Sequence, residues 1–300
     1  MNIFELTRIL NESKQVTAIK DEIKKDLKSI QSDVMADELK DVQRQTHFIA
    51  IKDDENNGTF TRRGLYKYLM TTEKTGFNLS KYEPIVRRLC SNMSDEEVEY
   101  LSKTHTVDEI IGNGINFSKY PSLISFKKDL TFSGVGNYEL LFAILTKGKK
   151  VSNKSGDIYV DDGDDSAGDG VIYEIKTKGG TIGDISHEVM MSVADEYGLL
   201  NNENFATVNY TSKTELYKLF QSTPHLMFEL KKRAIRNYIS GHNIENILFF
   251  EEKGKFAICY PFDLSNNIDD FINSVEIWHK AKGLPTNEKE WRFKILGVKK

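Results

Sequence analysis

Cysteine is scarce in this chain, and its scarcity excludes two common kinds of scaffold. The two cysteines, Cys90 and Cys259, lie far apart in the sequence. They have neither the spacing of zinc ligands nor the number that a disulfide framework requires. A reducing compartment suits such a chain, and we therefore expect a cytoplasmic protein.

Long hydrophobic runs are also lacking. No stretch reaches the roughly 18 to 20 apolar residues that a membrane-spanning helix needs, because Lys, Asp or Glu interrupts every candidate. The amino-terminal segment MNIFELTRIL is amphipathic, and it lacks the apolar core and the cleavage site of a secretion signal. We expect a protein that has no membrane partner.

An excess of charge of either sign is missing as well. The 41 Lys and Arg residues against 45 Asp and Glu residues give a formal net charge of -4, so any site for a polyanion must be a local basic patch. The chain does have apolar residues, 39% of the total, which is enough to bury a core. Its 300 residues predict one large domain or two modest ones.

Helical spacing dominates the first part of the chain. Apolar residues recur at three- and four-residue steps, and Ser94 with Glu97 forms a capping-box pattern. The helical segments are Phe4 to Val42, Thr61–Met70, Tyr82–Cys90 and Asp95–Ser102, with a short strand at Phe48–Lys52 and a turn after it. We predict a mainly α-helical amino-terminal domain over residues 1–114.

Strand patterns begin beyond residue 114, where β-branched and aromatic residues flank turn sequences. The expected hairpins pair Asp157–Val160 with Val171–Lys176, across the acidic loop Asp161–Asp169, and Asn246–Phe250 with Lys255–Tyr260, which Pro261 closes. The expected helices are a buried one at Tyr138–Leu145, capped by Asn137, and others at Ile185–Tyr197, Lys213–Gln221 and Leu226–Ile239. Residues 115–300 are therefore predicted to form a mixed α/β domain.

Two charged residues stand on an otherwise apolar strand of the first hairpin. Glu174 and Lys176 are two positions apart, so the strand period places both side chains on one face. Burying them costs several kcal/mol unless they pair or bind something. The hairpin would bring Asp157 beside Glu174, and Glu139 at the start of the preceding helix could reach the same end of the sheet. Two carboxylates suffice to hold Mg²⁺, which keeps several waters.

These residues fall in a recognisable order along the chain: Gly136-x-x-Glu139, then Gly156-Asp157, then Glu174-Ile175-Lys176. The pattern resembles the PD-(D/E)xK nuclease superfamily over roughly residues 132–180, with Gly156 where the motif's name has proline. The resemblance implies an α/β fold that is restriction-endonuclease-like, in which helices flank a central mixed sheet. The helical amino-terminal domain would precede it and would help to bind DNA or set the oligomeric state.

The resemblance also implies a reaction, the metal-dependent hydrolysis of DNA phosphodiester bonds by an endonuclease. Asp157 and Glu174 would be the metal-binding carboxylates, with Glu139 beside them as a further ligand or a support. Lys176 would be the catalytic lysine that orients or deprotonates a metal-bound water. The implied cofactor is Mg²⁺, for which Mn²⁺ could substitute.

Several other interpretations of the same residues stay open. Glu174 and Lys176 could be an exposed ion pair, and Glu139 could be an ordinary acid in the first turn of a helix. The whole chain could be a catalytically silent DNA-binding or assembly protein that keeps the nuclease fold. It could also be a nucleotide-binding enzyme built on the loop Gly134–Glu139. Zinc proteolysis is excluded, because Met191 stands where the second histidine would be.

Local basic clusters are the candidates for gripping DNA phosphates. They lie on two predicted helices and comprise Arg62, Arg63, Lys231, Lys232, Arg233 and Arg236. For each cluster the competing interpretation is a solvated helix face. A homodimer would allow coordinated cuts on two strands, and the sequence leaves this possibility open.

Overall fold

The structure is a computed structural model, and it describes residues 62–70, 75–151, 156–161, 170–201, 211–265, 268–278, 284, 286–287 and 290–299. The helices expected between Phe4 and Val42, the strand at Phe48–Lys52 and nearly all of the acidic hairpin loop lie outside these residues. The chain divides into two compact units. The first comprises Met1–Thr104 and Tyr120–Ser133, and the second comprises His105–Lys119 and Gly134–Lys300.

The described residues form ten α-helices and nine strands. The helices are α1 (Arg62–Met70), α2 (Glu83–Asn92), α3 (Asp95–Ser102), α4 (Val107–Asn113), α5 (Ser122–Asp129), α6 (Asn137–Thr146), α7 (His187–Glu196), α8 (Lys213–Ser222), α9 (Pro224–Gly241) and α10 (Ile268–Ser274). The strands are β1 (Ile115–Asn116), β2 (Lys149–Lys150), β3 (Ile158–Val160), β4 (Val171–Thr177), β5 (Thr181–Ile182), β6 (Asn246–Lys253), β7 (Phe256–Asp263), β8 (Val275–Trp278) and β9 (Phe293–Val298). Within the described residues, none of these helices is long and apolar enough to cross a membrane.

The first unit contains α1, α2, α3 and α5, and a buried carboxylate joins two of these helices. The capping box expected at α3 is confirmed: the Glu97 backbone donates to the Ser94 hydroxyl at 3.3 Å, and the Ser94 backbone donates to the Glu97 carboxylate at 3.0 Å. Glu97 is buried and also accepts hydrogen bonds from the backbone and hydroxyl of Ser122, at 2.6 and 2.9 Å. One acid therefore caps α3 and fixes the start of α5.

The second unit is built on a six-stranded sheet with the order β1-β7-β6-β4-β3-β2. Strands β4 and β6 run parallel, and the other neighbouring pairs run antiparallel. The expected mixed α/β class is confirmed. A separate antiparallel sheet, β5-β9-β8, is absent from the sequence-based prediction.

Both expected hairpins are confirmed, with one correction at Pro261. Strand β3 pairs with β4, and β6 pairs with β7 over the whole length of both strands. Pro261 does not close β7, which continues to Asp263. Proline is tolerated there because, among the described residues, β1 pairs only with Phe256 and Ala257 of β7, so Pro261 lies on an edge part of the strand.

Helix α6 is buried as expected, but its cap differs from the prediction. Asn137 is the first helical residue and does not cap the helix. Gly136 is the cap residue, and its backbone N–H donates to the Glu139 carboxylate at 2.8 Å. The helix covers one face of the sheet, where the Tyr138 ring stacks on Phe250 with centroids 4.8 Å apart. The core on the other face of the sheet contains the buried residues of α7, α8 and α9.

Phe250 should be a main stabilising residue of the second unit, because it is buried in β6 and contacts α6. We expect Phe250→Ala to lower the free energy of unfolding by about 3 to 5 kcal/mol, from lost burial and the cavity left behind. Urea unfolding followed by circular dichroism measures this value. The matched control is Phe228→Ala, since the Phe228 side chain is 40% exposed, and it should change the value by about 0.5 kcal/mol or less. Equal losses in both variants would contradict the packing described.

Candidate active site

Glu174 and Lys176 lie on one face of β4, a central strand of the sheet. The Lys176 ammonium donates to Glu174 Oε1, and the exposed fractions of the two side chains are 13% and 6%. The interpretation as an exposed ion pair is therefore wrong. A charged pair in this position must be matched by further polar partners, because water is largely excluded.

Asp157 lies immediately before β3 and opposite Glu174. Its backbone N–H donates to the Tyr173 carbonyl at 3.0 Å, and its carboxylate Oδ2 accepts from the Ile175 backbone N–H at 2.8 Å. The hairpin thus brings the two carboxylates together as the sequence predicts. Gly156, which precedes Asp157, has a φ of +85°. Proline, whose φ is fixed near -65°, could not adopt this conformation, which accounts for glycine at the position.

The pKa of Asp157 shows how close these charges are. Burial raises the pKa of Asp157 to about 7, and the negative charges of Glu174 and Glu139 add to the effect, while Lys176 and the Ile175 N–H oppose it. Burial and like charge both disfavour the ionised carboxylate. The site is therefore a group of carboxylates that an additional positive charge would stabilise.

A tyrosine that the sequence analysis did not assign to the site completes the cluster. Tyr238, on α9, donates its hydroxyl to Glu174 Oε1 at 2.7 Å, and the Lys176 ammonium lies 3.4 Å from the same hydroxyl. Burial raises the pKa of Tyr238 to about 12, so the hydroxyl is protonated and donates. No sequence motif signals this contact, because Tyr238 lies on a helix far along the chain from Glu174.

Lys176 stays positively charged in this setting. Burial acts to lower the pKa of Lys176, but Glu174, Tyr238 and Asp157 together raise it above its ordinary value. A protonated lysine donates hydrogen bonds and cannot accept a proton. The charge of Lys176 therefore suits orienting a ligand or stabilising an anion better than acting as a base.

Glu139 reaches this region from the start of α6, where both of its carboxylate oxygens have partners. Oε1 accepts from the Gly136 backbone, and Oε2 pairs with Lys150 of β2 at 3.0 Å. The Glu139 and Lys150 side chains are 12% and 19% exposed. Lys150 was not predicted to lie near the site, since a two-residue strand shows no periodicity in the sequence. A nucleotide-binding enzyme would need free N–H groups at this helix start to bind a pyrophosphate. Because the Gly136 N–H already donates to Glu139, the helix start is poorly suited to that role.

The remaining carboxylate oxygens are of the chemical type that a hard divalent cation prefers. Within the described residues, Asp157 Oδ1 and Glu174 Oε2 take part in no hydrogen bond, while the other oxygen of each carboxylate does. Carboxylate oxygens are the ligands that Mg²⁺ prefers, and Mg²⁺ takes one or two of them and keeps its waters. Among the described residues, no group of three or more His, Cys, Asp or Glu side chains is arranged to hold a metal ion. A site here would thus rest on two protein ligands.

The basic residues expected to grip DNA differ in their surroundings. On α9, Lys232 and Arg236 pair with Asp269 at 2.9 and 2.8 Å, and Arg233 pairs with Glu196. Lys231 forms no ion pair with the described residues. Its ammonium lies over the Phe228 ring, 5.2 Å from the centroid, and burial and the charge of Lys299 lower its pKa.

The other two basic residues, Arg62 and Arg63, belong to α1 in the first unit. The Arg62 guanidinium donates to the Met93 carbonyl at 2.9 and 2.6 Å and pairs with Asp95 at 2.8 Å. These contacts tie α1 to the start of α3. The Arg63 side chain lies outside the described part of the structure.

Comparison with known proteins does not identify the chain: no family model matches it, and no curated protein and no solved structure is significantly similar to it.

The raised pKa of Asp157 predicts a pH-dependent effect of Asp157→Asn, which keeps an acceptor for the Ile175 N–H. A carboxyl group whose pKa rises from about 4 to about 7 on folding adds stability below pH 4, and this contribution is lost as the pH rises to 7. We therefore compare the melting temperature of Asp157→Asn minus that of the wild type at two pH values. We expect this difference to be more positive at pH 8 than at pH 4. Thermal unfolding in EDTA measures it. The exposed residue Asp195 supplies the control variant Asp195→Asn, and an equal pH-dependent difference in both variants would contradict the prediction.

Proposed function

We propose that this chain is a metal-dependent DNA endonuclease that hydrolyses phosphodiester bonds by a PD-(D/E)xK-type mechanism on a restriction-endonuclease-like fold. The observation that supports the proposal is the meeting of Asp157, Glu174 and Lys176 on the central strands of a mixed sheet. Charged residues at these buried positions make the fold less stable than apolar residues would. A catalytic role accounts for their presence at this position.

The carboxylates divide into two metal ligands and one supporting group. Asp157 Oδ1 and Glu174 Oε2 would hold Mg²⁺, or Mn²⁺ in its place. When bound, such an ion neutralises phosphate charge and lowers the pKa of water. Glu139, held by Gly136 and Lys150, would support the site through its negative charge rather than by direct contact.

Lys176 would act on the substrate as a cation. Its ammonium is fixed between Glu174 and Tyr238, so its orientation is set before DNA binds. A fixed donor stabilises the negative charge that develops on the phosphate during attack, because the donor need not reorganise. It can also orient the attacking water by a hydrogen bond.

We assign DNA binding to the basic residues of α9 and α1. We place the enzyme in a reducing cytoplasm because both Cys90 and Cys259 are free, buried thiols. A homodimer would let two copies cut both strands. The rival function is a catalytically silent DNA-binding or assembly protein on the same fold. The acidic partners of Lys232, Arg233 and Arg236 favour the assembly form of this rival, since paired cations attract phosphate weakly.

Cleavage of supercoiled plasmid separates the two functions. We expect the wild type to cut or nick DNA with Mg²⁺ or Mn²⁺ and to be inactive in EDTA. Glu174→Gln should abolish cleavage, because it removes the charge of a metal ligand. Lys176→Met should lower kcat by about a hundredfold to a thousandfold, the usual loss when one charge-stabilising donor is removed.

The control for this experiment is Glu252→Gln. Glu252 lies on β6 of the same sheet and accepts a tyrosine hydroxyl, from Tyr138 at 2.9 Å, much as Glu174 does from Tyr238. Its loss should leave cleavage unchanged. If the folded wild-type protein cuts no DNA with either metal, the nuclease proposal fails and the assembly function replaces it.

The DNA-binding role of α9 can be measured separately in EDTA on the Glu174→Gln background. We expect Lys231→Ala to weaken binding to a fluorescent duplex and to lower the slope of log affinity against log salt by about one, the change for one lost phosphate contact. Lys218→Ala is the matched control, because Lys218 is exposed on α8 and paired with Glu215 at 2.6 Å. Identical slopes for the two variants would remove Lys231 from the DNA interface.

A further inference from the structure

Tyr238 is the partner of the site that comes from farthest along the chain, and its contacts are unusual for a surface helix residue. Its hydroxyl touches both charged residues of β4, at 2.7 Å from Glu174 Oε1 and 3.4 Å from the Lys176 ammonium. The Lys176 ammonium also lies 5.6 Å from the centre of the Tyr238 ring. The three groups therefore form a closed cluster in which each contacts the other two.

The position of the Tyr238 ring is set by packing that does not involve Glu174 or Lys176. Neighbouring α9 residues Ile235 and Ile239 are buried in the core. The His242 ring lies against the Tyr238 ring with centroids 4.5 Å apart, and His242 Nδ1 is 2.8 Å from the Tyr238 carbonyl. The hydroxyl is thus presented to Glu174 from a fixed platform.

This arrangement decides which oxygen of Glu174 is available to a ligand. Oε1 accepts two hydrogen bonds, one from Lys176 and one from Tyr238. Within the described residues, Oε2 accepts none. If the Tyr238 hydroxyl were lost, Lys176 would be the one hydrogen-bond donor left to the Glu174 carboxylate among the described residues. The Glu174 and Lys176 side chains could then change rotamer together.

We propose that Tyr238 is a positioning residue that fixes the Glu174 carboxylate and the Lys176 ammonium in the orientation that catalysis requires. This inference rests on the proposed nuclease function for its catalytic part, while its structural part concerns Glu174 alone. Partners of this kind, which orient a metal ligand without touching the metal, change activity by about tenfold to a hundredfold when removed. The hydroxyl, rather than the ring, carries this role.

The test compares Tyr238→Phe with Tyr217→Phe. The first keeps the ring that packs on His242 and removes only the hydroxyl. The second removes a hydroxyl elsewhere in the same core, where the Tyr217 ring packs edge-on against Trp291 at 5.1 Å. Urea unfolding establishes that both variants are folded.

Two measurements follow on these variants. The first is the carboxyl ¹³C resonance of Glu174 in protein labelled at glutamate, assigned with Glu174→Gln. The second is the kinetics of DNA cleavage with Mn²⁺. For Tyr238→Phe we expect a shifted resonance and a kcat lowered about tenfold to a hundredfold, with KM for DNA changed by less than about twofold. For Tyr217→Phe we expect wild-type values in both measurements.

The results that overturn the proposal differ from those that overturn the nuclease function. An active wild type with wild-type kcat in folded Tyr238→Phe overturns the positioning role, whatever the resonance does. A wild type that cuts no DNA overturns the nuclease function, and the resonance then decides alone. In that case an unshifted Glu174 carboxyl in Tyr238→Phe overturns the positioning role, and a shift that is absent from Tyr217→Phe upholds it.

Discussion

The buried contact between Glu174 and Lys176 is the constraint on which the rest of the second unit depends. Both groups lie in the middle of a sheet, where water cannot solvate them, and a buried ion pair is tolerated only when its remaining polar atoms also have partners. Here the surrounding elements meet part of this requirement: Tyr238 of α9 donates to Glu174 Oε1, and the negative charge of Asp157, immediately before β3, acts to raise the pKa of Lys176. The strand can carry charge because two other elements meet it at the same point.

The same arrangement leaves more carboxylate groups than the cations of the described residues balance. Asp157 and Glu174 lie side by side, and Glu139 adds its field from the start of α6. Lys176 balances part of this charge, while Lys150 is paired with Glu139 on the other side. Under the proposed function, the surplus carboxylates would attract a divalent cation and the fixed ammonium would attract the phosphodiester.

The α9 helix carries residues for both parts of the proposed function, the positioning of the charged cluster and the binding of DNA. Tyr238 lies in the charged cluster, while Lys232, Arg233 and Arg236 of the same helix are held by Asp269 and Glu196. These acids lower the local positive charge in the free protein, so phosphate contacts at α9 would have to compete with existing ion pairs. Such competition weakens non-specific attraction to DNA, in keeping with the overall charge of -4.

The sequence by itself determined the features that depend on neighbouring residues. The alternation of β4 put Glu174 and Lys176 on one face, the hairpin pattern put Asp157 opposite them, and the apolar run of α6 marked a buried helix. Only the tertiary structure decided the parallel pairing of β4 with β6, the arrival of Tyr238 and Lys150 at the site, and the acidic partners of α9. Apart from the Lys150 contact, whose strand is too short to show a period, these contacts join segments far apart in the chain, and local periodicity carries no information about which distant surfaces pack together.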